Sequence, residues 1–135
     1  MRCLVPCLAR DLSLAREQSK LTHTNKVCDE AIVKYYRAVD HAMDNYEIPP
    51  CVHMEPTGHV INTLNNAMYW VKTTSSFREA ILGAVNDGGD ADTIAALSGG
   101  LAGARYGYSA IPSQWLEVLE KTVSDELSHV AAWLV

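Results

Sequence analysis

A chain of 135 residues with a net charge of −5 and a pI of about 5.4 can bury one core without disulfides. It is too acidic to offer the basic face that nucleic acid requires, and the same acidity works against adhesion to anionic membranes. With 48% hydrophobic and 20% charged residues the composition is globular, not disordered, and no apolar run reaches the length of a membrane span.

The segment from Met1 to Arg10 is mildly apolar but is interrupted at Pro6 and Cys7, so it does not read as a signal peptide. The four cysteines, Cys3, Cys7, Cys28 and Cys51, form neither a CxxC pair nor a finger spacing. They read as thiols of a reducing compartment, and a cytoplasmic protein of one domain, 1–135, is expected. Between 27 and 43, Val27, Cys28, Ala31, Ile32, Tyr35, Tyr36, Val39, Ala42 and Met43 recur at i, i+3, i+4 and i+7 and predict an amphipathic helix. Pro49, Pro50, Pro56 and Gly58 break that period, so 46–58 is expected to be the one long loop. Val60, Ile61, Leu64, Ala67, Met68 and Val71 predict a second helix. Ser76 with Glu79 three residues on has the form of a capping box; the helix it starts should bury Phe77, Ala80, Ile81, Ala84 and Val85 and stop at Gly88 and Gly89.

From about Asp90 to Tyr106 the sequence is apolar nearly all round, which predicts a central helix. Gly99, Gly103 and Gly107 repeat every four residues along it and suggest a strip where another helix backbone comes close. Pro112 should open a helix carrying Trp115, Leu116 and Leu119. Val123, Leu127, Val130, Ala131 and Leu134 predict a last amphipathic helix. No strand alternation is visible, and the expected fold is all-α, a compact helical bundle.

Chemistry concentrates in Asn86-Asp87-Gly88-Gly89-Asp90-Ala91-Asp92-Thr93. Two glycines permit a sharp turn, after which Asp90, Asp92 and Thr93 gather oxygen-bearing side chains at the start of the central helix. One reading is local: Asp90 caps the helix and Asp92 complements its dipole. The other is a cation. Two carboxylates at a partly buried helix end repel one another, and clustered Asp and Thr oxygens suit a hard ion such as Mg²⁺ or Mn²⁺.

The stretch Gly88-Gly89-Asp90-Ala91-Asp92-Thr93-Ile94-Ala95-Ala96, continuing through Gly100-Leu101-Ala102-Gly103-Ala104, Tyr106-Gly107 and Ile111-Pro112 to Trp115, resembles the C-terminal signature of the ADP-ribosylglycohydrolases. Ser19-Lys20-Leu21-Thr22-His23 is similar to a turn that precedes a long helix in that family. Gly58-His59-Val60 with Thr63-Leu64 and Trp70 is similar to another of its helices. The resemblance implies a truncated form of an all-helical fold and a two-metal site, of Mg²⁺ or Mn²⁺, with Asp90, Asp92 and Thr93 as ligands. It implies ADP-ribose or an ADP-ribosylated protein as the bound partner and hydrolysis of the glycosidic linkage as the reaction. It also implies that His23 faces the phosphate or ribose of the substrate and that Gly89 lies in the substrate-binding turn. No residue is assigned as catalytic acid or base.

The pattern is also incomplete. The family's Thr-Asp-Asp motif, which supplies the facing metal ligands, has no counterpart. Asp40, Asp44, Asp125 and Glu126 are scattered on polar helix faces and read as solvated charge. Only Met1-Arg2 resembles the tail of the family's phosphate loop. Such a chain is expected to need the missing half for activity, through a complementing chain, or to self-associate through apolar faces left uncovered. The alternative is a non-catalytic remnant or interaction module that retains the helical scaffold.

Overall fold

The computed structural model describes residues 10–44 and 47–133; the expectations placed on Met1, Arg2, Cys3, Cys7 and Leu134 lie outside the described residues. Seven α-helices and one 3₁₀ turn account for the regular structure of the described residues, with no strand among them, as the periodicity predicts. They are α1 (Leu12–Lys20), α2 (Lys26–Met43), α3 (Val60–Thr73), α4 (Phe77–Asn86), α5 (Ala91–Tyr106), the turn Tyr108–Ala110, α6 (Ser113–Glu117) and α7 (Lys121–Trp133). No helix among the described residues is long and apolar enough to cross a membrane.

The sequence reading did not delimit α1, whose buried stripe is only Ala15 and Ser19. Its start is set by Asp11, whose carboxylate accepts from the Leu14 amide at 3.0 Å and the Ser13 hydroxyl at 2.7 Å. These bonds, the amide first, hold the Asp11 carboxyl below its ordinary value. Arg10 pairs with Asp40 and Asp44 while Arg16 pairs with Asp29, so α1 lies antiparallel on α2. Asp40 and Asp44, partly exposed as expected of surface charge, thereby tie the C-terminal end of α2 to Arg10, two residues before α1.

The side chain of Asn25 caps α2 by accepting from the Val27 amide at 2.8 Å. Ala31, Tyr35, Ala38, Val39 and Ala42 form its buried face, while Val27 and Met43, at the two ends of the predicted stripe, are more than a third exposed. The segment 47–59 then runs back along α3 from its C-terminal to its N-terminal end. The Ile48 carbonyl accepts from Lys72 Nζ at 3.2 Å, and the Asn66 side chain binds both the amide and the carbonyl of Met54 at 2.7 and 2.9 Å. Nearer the start of α3, the Asn62 amide reaches the Glu55 carbonyl and the Thr63 hydroxyl reaches the Thr57 carbonyl. Asn66 is fully buried, which is tolerable because its amide finds partners in this strap.

The Ser76 cap at the start of α4 is present, but Glu79 reaches one residue past it, to Ser75, instead of to the Ser76 amide of a capping box. Ser76 Oγ accepts from the Glu79 amide at 3.2 Å, and Glu79 Oε2 accepts from the Ser75 amide and hydroxyl at 3.0 and 2.8 Å. The Ser75 hydroxyl is the larger cause of a Glu79 carboxyl held below its ordinary 4.5. A depressed folded value means that the stabilisation is complete above 4.5 and is lost as pH falls through the folded value. Ser76→Ala should lower stability by about 1 kcal/mol in urea unfolding at neutral pH. The stability gap between the wild-type chain and Glu79→Gln should close below pH 4.5.

Helix α5 is central and touches α2, α3 and α4; Ile94, Ser98, Leu101 and Ala102 are fully buried. The Ser98 hydroxyl bonds the Ile94 carbonyl at 2.8 Å within its own helix and the Ala67 carbonyl of α3 at 3.4 Å. The glycine repeat does not do what its spacing suggests. A Cβ on Gly99 would meet only Ile81 Cδ1, at 3.6 Å, and one on Gly103 or Gly107 would meet nothing within 4 Å. Gly107, at φ +79°, ends the helix. The close approach is instead at Gly83 of α4, where a Cβ would sit 2.3 Å from the Trp70 ring. Val85, predicted to be buried, is 50% exposed on the outer face of α4.

Three registers orient α5 on α3: Ser98 with Ala67, Arg105 with the Val71 carbonyl, and the Tyr106 hydroxyl with the Thr74 carbonyl. The two helices thus run parallel. Helix α2 follows the same direction, because Lys34 reaches Asn65, Tyr35 reaches the Leu97 carbonyl, and the chain just beyond α2 meets Lys72 at the far end of α3. The N-termini of α2, α3 and α5 therefore lie at one end of the bundle. Trp115 packs beside Phe77 with ring centroids 6.3 Å apart. Val123, Leu127 and Val130 of α7 are 40–58% exposed, in keeping with the expectation that apolar faces are left uncovered.

Candidate functional site

The turn 87–90 joins α4 to α5 through two left-handed residues, Gly88 at φ +83° and Gly89 at φ +55°. A Cβ on Gly89 would lie 1.8 Å from the Pro56 carbonyl oxygen, whereas one on Gly88 would meet nothing within 4 Å. The first glycine serves backbone conformation alone; the second also lets the strap 53–58 lie against the turn. The Asp90 amide donates to that same Pro56 carbonyl at 2.9 Å, which fixes where the central helix begins.

Asp90 occupies the N-cap position of α5, yet its side chain makes no capping bond to the helix backbone. Its Oδ1 accepts from the Thr93 hydroxyl at 3.0 Å, and its Oδ2 lies over Gly58, 3.5 Å from where a Cβ there would be. The capping reading is thus corrected. The φ/ψ of −83°/44° is not the extended conformation in which a cap side chain turns back toward the amides. Asp90 is half-buried while Asp92 and Thr93 are exposed, so this helix end is less enclosed than its apolar sequence suggests. Asp90 and Thr93 are brought into contact; Asp92 stands in the same first turn with its carboxylate in solvent.

His23 lies in the link between α1 and α2, exposed, with Nδ1 2.9 Å from the Thr22 hydroxyl. It lines an open cavity of about 360 Å³ with Arg16, Ser19, Lys20, Thr24, Asn25 and Asp29. That cavity sits at the N-terminus of α2, the end of the bundle where α5 also begins, but no residue from Gly88 to Thr93 lines it. His59 precedes α3 at the same end and makes no side-chain cap bond.

Sequence reasoning missed Asp87. Its side chain is 8% exposed and accepts three bonds: from His53 Nε2 at 2.7 Å, from Trp70 Nε1 at 3.1 Å and from Asn66 Nδ2 at 3.3 Å. The rings of His53, Tyr69 and Trp70 pack edge to face around it, with centroids 5.1–5.8 Å apart. An aspartate before two glycines reads as an ordinary turn residue, so nothing in the local pattern announced this cluster. The same geometry makes Trp70, whose ring also packs against Gly83, a hydrogen-bond donor.

Hard oxygens in the first turn of α5 fit a divalent cation in kind but supply at most half of a six-oxygen shell. Among the described residues no group of three or more His, Cys, Asp or Glu side chains could hold a metal ion.

Residues 33–135 match the family model of ADP-ribosylglycohydrolase. The chain is 32% identical to the ADP-ribosyl-[dinitrogen reductase] glycohydrolase of Rhodospirillum rubrum over 151 aligned positions, covering 94% of this chain and 51% of that protein. It is 47% identical over 78 residues to the ADP-ribosylarginine hydrolase Tri1 of Serratia proteamaculans (58% of this chain, 21% of that one). It is 25% identical over 111 residues to the mouse ADP-ribosylhydrolase ARH3 (76% and 27%). The chain thus spans about half the length of the first of these relatives and smaller shares of the other two. The helical bundle, the glycine turn that opens its central helix and the reach of these matches lead to one assignment: the chain belongs to the ADP-ribosylglycohydrolase family.

Proposed function

We propose that the chain forms the half of an ADP-ribosylglycohydrolase in which Asp90, Asp92 and Thr93 hold a divalent cation, and that it takes part in hydrolysing the bond between ADP-ribose and an acceptor side chain of a modified protein. The observation that carries this reading is the pairing of the Asp90 carboxylate with the Thr93 hydroxyl at 3.0 Å at the mouth of the central helix. Relatives named for ADP-ribosylarginine make arginine the first acceptor to try.

In the reaction a water oxygen bonds to the anomeric carbon, the glycosidic bond breaks, and the departing acceptor recovers a proton. A bound Mg²⁺ or Mn²⁺ would supply orientation of the ribose hydroxyls and a polarised water. The chain's own part is to present hard oxygens from a turn fixed against Pro56. It also offers the positive ends of three parallel helices on the side where the diphosphate would sit. His23, beside the N-terminus of α2, would face that diphosphate.

Three donors bind a hard cation weakly, and an unheld substrate is not placed for attack. Catalysis therefore requires the facing ligands that the family carries outside the segment matched here. Calorimetric titration of this chain with Mn²⁺ and then ADP-ribose should give weak binding of both. Turnover of ADP-ribosyl-arginine should appear only after addition of a family segment bearing the Thr-Asp-Asp motif. Unaided turnover in Mg²⁺ would overturn the incompleteness, and no heat with either ligand would favour a scaffold that has lost its site.

A further inference from the structure

The cluster around Asp87 stands three residues before Asp90 and is not used by the chemistry above. A carboxylate only 8% exposed is costly to bury unless its oxygens are satisfied. Here three donors from two different parts of the chain do so. Asn66 and Trp70 come from α3, and His53 comes from the strap that runs along α3. Asn66 in addition clamps both backbone groups of Met54, one residue from His53. Two positions further along the strap, the Pro56 carbonyl receives the Asp90 amide and leaves no room for a Cβ on Gly89. The turn 87–90 is therefore held twice against the same strap and helix, once by a side chain at its start and once by the backbone at its end.

Both fastenings act on the residue whose carboxylate meets Thr93. With only the Pro56 bond, the two left-handed glycines would leave the turn free to swing about one hydrogen bond. With Asp87 anchored, the path from 87 to 90 is closed at both ends, and the direction of the Asp90 carboxylate is set. We propose that Asp87 is a positioning residue: held by His53, Asn66 and Trp70, it fixes the glycine turn and so the aim of Asp90 and Thr93. The proposal rests on the reading that those groups bind a cation, and its test separates the two.

Mn²⁺ affinity and amide hydrogen exchange are measured on the wild-type chain, on Asp87→Ala and on Asp87→Asn. Tyr106→Phe, which removes a hydroxyl–carbonyl bond at the opposite end of α5, serves as a control for general destabilisation. Asp87→Ala should weaken Mn²⁺ binding by about tenfold or more, the range found when groups that orient metal ligands are removed. The Asp90 amide should lose protection while amides of the buried segment of α3, around Ala67 and Met68, keep theirs. Asp87→Asn, which can still accept from Trp70 and Asn66, should recover much of both. An equal loss of Mn²⁺ affinity in Tyr106→Phe, or an unchanged Asp90 amide in Asp87→Ala, would overturn the proposal. If the wild-type chain itself binds no Mn²⁺, the cation reading fails, and the exchange behaviour of Asp90 alone decides whether Asp87 holds the turn.

Discussion

Gly89→Ala is expected to be among the most damaging single substitutions in this chain. The new Cβ would lie 1.8 Å from a backbone oxygen, that of Pro56, which cannot rotate aside as a side chain could. It would also be added at φ +55°, where an L side chain is strained. The strap would have to lift off the turn, breaking the bond from the Asp90 amide to Pro56. A loss of about 3 kcal/mol is expected, at the upper end of what backbone strain and a lost hydrogen bond together usually produce. Gly88→Ala provides the internal comparison. Its φ of +83° is equally unfavourable, but its Cβ would meet nothing, so it should cost only about 1 kcal/mol. Urea unfolding of the two variants decides the matter: similar midpoints would mean that the Pro56 contact is not what makes Gly89 necessary.

Asp92→Ala should do the opposite, with a small effect on stability and a large one on binding. The carboxylate is exposed, and its service to the fold is a favourable charge in the first turn of α5, worth under about 1 kcal/mol. Helical circular dichroism and the unfolding midpoint should hardly change. If Asp92 is one of three protein oxygens on a cation, its removal should reduce Mn²⁺ affinity by about 100-fold or more, since the remaining donors cannot fill the shell. Calorimetry on the variant checks this. An unaltered affinity would return Asp92 to the role of a charge at a helix end.

Much of the fold was legible because α2 through α5 carry their own signals. The stripe from Val27 to Met43, the Ser76–Glu79 pair and the glycines after Asn86 mark boundaries within a residue or two of those observed, since period, cap and stop are all local properties. Helix α1 was not delimited, because two small buried residues make a weak stripe and its attachment depends on ion pairs from Arg10 and Arg16 to α2. The glycine repeat in α5 misled for a related reason. Spacing reveals which glycines share a face, not what lies opposite, and the contact that needs a glycine is made by Gly83 with Trp70.

At the candidate site the residue types were legible and their arrangement was not. That Asp90 opens a helix follows from the turn before it. That its carboxylate turns to Thr93 instead of the helix amides, and that its amide is spoken for by Pro56, depends on a segment more than thirty positions earlier. Asp87 was invisible for the same reason, because its donors, His53, Asn66 and Trp70, come from the strap and from α3.

The exposure of α7 has a thermodynamic consequence. Most helices in folded proteins persist because an apolar face is packed, and a free helix of this length is marginal in water. With Val123, Leu127 and Val130 open to solvent and the i,i+4 pair of Lys121 with Asp125 adding only a few tenths of a kcal/mol, α7 has little to bind it into the cooperative unit formed by α2 to α5. Melting is then a sequence of two events, an early fraying of this last helix and a later collapse of the bundle. Far-ultraviolet ellipticity mixes the two, whereas in a Trp115→Phe, Trp133→Phe variant the fluorescence of Trp70, a ring wedged between Gly83 and Asp87, follows the second.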